Sequence, residues 1–109
     1  MIVNEINRAA EEAASALAAC RKASGLPVLE TETLLTDIGR NLELAVRARK
    51  AMHEGSSPEA TKGFMTALAS IIIEALVVSR DEHVDIGWAV DDQVQMLKWD
   101  AEEAGYEQQ

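Results

Sequence analysis

An all-α fold is what this sequence predicts: a four-helix bundle based on antiparallel hairpins and completed by homo-oligomerisation. Three observations predict it. Apolar residues make up 48% of the chain but aromatic residues only 4%, so the core is assembled from Ala, Leu, Ile and Val, and Ala favours helix over strand. Gly25, Pro27, Gly55 and Pro58 fall where apolar runs with helical spacing stop or start. One run is apolar around most of its circumference, more than one helix of a four-helix monomer can bury. With 109 residues the chain makes one domain, 1–109, around a single core.

The first helix is expected over about residues 3–24, stopped by Gly25 and Pro27. Its apolar seam reads Ile2, Ile6, Ala9, Ala13, Ala16, Cys20 and Ala23, small side chains that let two backbones approach closely. Cys20, the one cysteine, is expected to be buried and inert beside Ala16, Ala19 and Ala23. The second helix, about 31–54, should bury Leu35, Ile38, Leu42, Ala45 and Val46 and end at Gly55. Arg47, Arg49, Lys50 and His53 in its last turns complement the helix dipole.

"SSPEATKG" opens the third helix, about 58–78, with Ser57 as cap and Pro58 at the first helical position. Phe64, Met65, Leu68, Ile71, Ile72, Ile73, Ala75 and Leu76 leave only the side of Thr66, Ser70 and Glu74 polar. That surplus of apolar surface argues for self-association. Ser79 and Glu82 read as a capping box, which starts the fourth helix at about residue 80 and carries it to 104. The alternative, one helix from Pro58 to Ala104, would span ~70 Å and need a partner chain along it.

Charge is segregated. Of a net −9, residues 81–109 hold nine acids and one base, while the rest of the chain is close to balanced. A negative end repels nucleic acid and attracts cationic partners. On a wheel of the fourth helix Ile86, Val90, Val94, Leu97, Ala101 and Ala104 gather as the core stripe, with His83 at its edge. Trp88 and Trp99 fall on the opposite side together with Asp81, Asp85, Asp92 and Gln95. These six are the candidate interface residues, because large aromatics turned away from a core are enriched at contacts.

No nucleophile stands beside His83, and the sequence holds no CxxC, HExxH or glycine-rich phosphate loop. Neither a catalytic site nor a cofactor is therefore expected. Asp81, Glu82 and Asp85 have spacing that lets carboxylates meet on a divalent ion, as in helical magnesium-dependent nucleotide pyrophosphohydrolases, but the other helices offer only Glu43 and Glu74 near their middles. A helix-turn-helix around "EGSSPEATKGFMTAL" is the weakest reading, since a pI near 4.6 opposes phosphate contacts. The N-terminus lacks signal-peptide features, and the apolar stretch Phe64–Val78 is fifteen residues long and contains Glu74. The expectation is a cytoplasmic interaction or regulatory module, binding itself and a basic protein, as an inhibitor of a nucleic-acid-binding partner would, with no direct contact to nucleic acid or membrane.

Overall fold

The computed structural model describes residues 2–55 and 57–107. Among them lie four helices and no strand: α1 (Ile2–Ala23), α2 (Thr31–Glu54), α3 (Pro58–Asp81) and α4 (Ile86–Glu107). Helix α2 packs along α3, α1 crosses α3, and α4 sits on α1.

Local chemistry sets the ends. After α1, Gly25 takes the left-handed conformation (φ +68°), and the Leu26 and Gly25 amides donate to the carbonyls of Arg21 and Lys22 at 2.9 and 3.1 Å. This is the glycine stop expected of a helix that turns sharply. The Arg21 side chain also donates to the Pro27 carbonyl at 2.8 Å, tying the connection back onto its helix. Ser57 caps α3 by accepting from the Ala60 amide, with Pro58 at the first helical position.

The α2–α3 hairpin is antiparallel, and its seam follows the four-three repeat on both sides. Leu34, Ile38, Asn41, Ala45, Ala48 and Met52 meet Ala60, Phe64, Ala67, Ile71, Glu74 and Val78, all buried or half-buried. Leu34 is 1% exposed and is the largest fully buried side chain. Asn41 donates its side-chain amide to the Glu74 carboxylate across the seam. A polar pair in an apolar seam fixes one register, because a slip would leave both groups facing hydrocarbon.

Each of these faces differs from the one expected. In α2, Leu34 is buried while Leu35, Leu42 and Val46 are exposed. In α1 Ile6, Ala9 and Ala13 of the expected seam are half-buried, but the packed face also takes in Val3, Asn7, Ala10, Ala14, Leu17 and Arg21, and Ala16, Cys20 and Ala23 face outward. Cys20 is exposed, which corrects its expected burial. Glu74, expected on the outer polar side of α3, lies in the seam, and Met65, Leu68 and Ile72 are exposed instead. In α2 and α3 the seam holds small side chains and the Asn41–Glu74 pair, and larger apolar residues beside it stay exposed.

The third helix is also longer than expected. It runs through 24 residues to Asp81, and its most apolar 18-residue window has a mean hydropathy of 1.6 with 11% of that window buried. By length and composition it can cross a membrane, so the fifteen-residue limit read from the sequence does not hold.

The break after it is not a Ser79–Glu82 capping box. Ser79 is a buried residue inside α3, and its hydroxyl donates to the Ala75 carbonyl at 2.8 Å. The helix stops instead at His83, which adopts φ +56° and lets the Val84 amide donate to the Ser79 carbonyl at 3.0 Å. A residue other than glycine therefore serves as the left-handed stop. Ser79→Ala should change stability by less than about 0.5 kcal/mol, as expected for a mid-helix serine bonded to its own backbone. Loss of an N-cap would cost ~1 kcal/mol, so urea unfolding distinguishes the two roles.

The whole is thin and open. It measures 61 × 41 × 23 Å, with a radius of gyration of 17.4 Å, against about 13 Å for a compact domain of this length. Its surface is 8320 Å².

Candidate functional site

Residues 79–92, read from the sequence as the start of the fourth helix, make a joint between three helices. Ser79–Asp81 close α3, residues 82–85 form the turn, and α4 begins at Ile86. His83, expected at the edge of the core stripe, belongs to the turn.

Asp85 is the residue that starts α4. Its Oδ1 accepts from the Trp88 amide at 3.0 Å, the geometry of an N-cap three residues ahead. The same oxygen accepts from the side-chain amide of Asn7 in α1 at 2.8 Å. Asn7 in turn accepts the Gly87 amide on its Oδ1 at 2.8 Å. One asparagine thus caps the first turn of a helix remote in sequence and pins it to α1. The bond from Asn7, and next the bond from the Trp88 amide, holds the Asp85 carboxyl below its ordinary value of 3.8.

Gly87 completes the joint. It is buried, and a Cβ placed there would lie 2.3 Å from the Val3 carbonyl oxygen and 2.9 Å from Asn7 Oδ1. Only a residue without a side chain lets the two backbones cross this closely. Beside the joint, Arg80 meets Glu11 at 2.7 Å, an exposed ion pair that adds little to stability. An open cleft of about 390 Å³ lies here, walled by Asn7, Glu11, Arg80, His83, Val84 and Asp85.

The interface candidates separate. Trp88 and Trp99 are 61% and 68% exposed, and Gln95 and Asp81 are also exposed. Asp92 is half-buried, and Asp85 is engaged as the cap. The core stripe of α4 holds only at its start: Ile86 and Val90 are half-buried, but Val94 is 37% and Leu97 68% exposed. Leu97 is not a core residue of the protomer, because α4 leaves the body beyond Asp92 and every residue from Gln93 to Gly105 is exposed. Asp81, Glu82 and Asp85 do not converge, and among the described residues no three His, Cys, Asp or Glu side chains form a metal site.

No family model, curated protein or solved structure matches the chain. The geometry therefore carries the functional reading. What the joint does is mechanical: the bonds of Asn7 to Asp85 and Gly87 hold the first turn of α4 on α1.

Sequence reasoning missed Asn7 and Gly87. The glycine carried a signal, since a glycine in the first turn of a helix marks close backbone approach. Asn7 gave none. The second omission is the exposed apolar face of the hairpin, formed by Leu35, Leu42 and Val46 on α2 and Met65, Leu68 and Ile72 on α3. At about 100° per residue these two sets turn to the same side of the antiparallel pair.

Because the Asp85 carboxyl is held low, its contribution to stability is present above its ordinary value and is lost as pH falls through the lower, folded value. Acidification below about pH 4 should therefore loosen α4 from α1 before the α2–α3 hairpin melts. Trp88 fluorescence against far-ultraviolet dichroism follows the two events separately. Asn7→Ala should abolish the difference.

Proposed function

We propose that this protein is a homo-oligomeric helical interaction module whose acidic fourth helix meets a basic partner. The observation that carries the reading is the exposed surface. A compact protein of 11.8 kDa exposes about 5,900 Å², whereas this chain exposes 8320 Å². Much of the surplus is apolar, on the hairpin face and on α4, and soluble monomers do not keep large contiguous apolar patches in water.

Charge placement supports the second half of the reading. Nine acids and one base fall in residues 81–109, and Asp100, Glu102 and Glu103 project with the arm of α4 away from the body. An inhibitor that occupies a nucleic-acid-binding protein would use such an end, and its binding would weaken as salt rises. Direct binding to nucleic acid is disfavoured by the same charge. The α2–α3 connection makes an antiparallel seam, not the open crossing of a helix-turn-helix.

An aqueous, cytoplasmic setting fits better than a bilayer. Helix α3 is packed along α2, which carries eight charged side chains, so α3 could enter lipid only by leaving its partner. Sedimentation over a micromolar range tests the proposal. A mass at or above twice 11.8 kDa is expected, and 11.8 kDa at every concentration would refute self-association.

A further inference from the structure

We propose that in the homodimer the projecting arm of α4, Gln93–Gly105, lies on the apolar hairpin face of the second copy, reciprocally. The inference rests on the self-association proposed above and assigns its contact.

Four observations point to this occupant. The arm is bare on all sides from Gln93 to Gly105, and it projects from a joint on α1 that does not lay it along its own hairpin. The hairpin face is likewise uncovered: Val46 is 70% and Met65 64% exposed. The lengths agree, since the arm spans about 18 Å and Leu35 to Val46 about 16 Å at 1.5 Å per residue. Both surfaces are apolar, with charge at their edges. Val94, Leu97 and Ala101 run along one side of the arm, with Asp100 and Glu102 at its two edges. Leu42 and Val46 run beside Glu43, Arg47 and Arg49, and the two arginines have no ion-pair partner among the described residues.

Area decides between a casual and an obligate contact. The surplus is about 2,400 Å² per chain over a compact protein of this mass. Burying it in two copies removes about 4,800 Å², within the range of obligate homodimers. Two arms on two faces about a twofold axis also close the assembly.

Complementation between variants tests the arrangement. Leu97→Glu damages the arm, and Leu42→Glu with Ile72→Glu damages the face; all three positions are exposed in the protomer, and unchanged far-ultraviolet dichroism confirms the helices. Either variant alone should dimerise at least about thirtyfold more weakly than the parent. An equimolar mixture should regain dimers, because the mixed pair holds one arm and one face that are both intact. A second readout needs no substitution: carbodiimide cross-linking of mixed heavy and light isotope-labelled chains should join Lys50 of one copy to Asp100 or Glu102 of the other. A dimer whose variants do not complement and whose cross-links avoid the arm overturns this arrangement and spares self-association. A monomer at all concentrations overturns both.

Discussion

Gly87→Ala should detach α4 from the rest of the protein. The added methyl would stand 2.3 Å from a backbone carbonyl oxygen of Val3, and backbone cannot step aside as the end of a long side chain can. Overpacking of this kind costs about 1–3 kcal/mol where neighbours yield, and here the relief available is to open the joint. Opening it also breaks the Asn7 bonds to Gly87 and Asp85. Amide exchange of Gly87 and Trp88 should rise by at least tenfold, while exchange in the α2–α3 seam stays slow. If the exchange of Trp88 is unchanged, the crossing at Gly87 does not hold α4.

The second large effect belongs to the hairpin. Leu34→Ala removes the most buried side chain of the molecule, 1% exposed, and should cost ~2–5 kcal/mol of folding stability. Leu97→Ala, chemically the same change on a residue 68% exposed in the protomer, should leave the chain folded and weaken association instead. Denaturation at two protein concentrations separates them. The midpoint of the Leu34 variant falls at both, whereas that of the Leu97 variant falls mainly where the parent is dimeric. Similar losses at high dilution would place Leu97 within the protomer's own core.

These contrasts show which features were legible in the sequence. The helices, their number and most of their ends were, because each of these ends is a local event: a glycine free to turn left-handed at position 25, a serine and a proline opening α3. The break between α3 and α4 was misplaced because its determinants are not local. His83 does the work of a glycine there, and the cap on α4 is completed by Asn7, 78 residues from Asp85. Helix faces were misread in part for a different reason. Periodicity reports the strongest apolar stripe of a helix, and only part of that stripe is packed within the protomer: Ile6, Ala9 and Ala13 in α1, Ile38 and Ala45 in α2. Leu35, Leu42 and Val46 outweigh Asn41 and Ala48 in hydrophobicity, yet the latter fill the seam, since small residues and a paired amide let two helices come close. On α4 the outward tryptophans were legible, while the bare Leu97 was not, because a wheel shows direction and not where a neighbour ends.

The joint at Asn7 and Gly87 also orders events in time. Its partners stand 80 residues apart, so during synthesis α1 is complete long before the turn that completes its N-terminal contact exists. The α2–α3 hairpin, joined by a short turn and locked by Asn41 and Glu74, has only nearby contacts to find and can close on the microsecond-to-millisecond scale of local helical structure. Attachment of α4 must wait for the last quarter of the chain to emerge and for a long loop to close. On this ordering the α2–α3 hairpin forms before α4 is attached to α1.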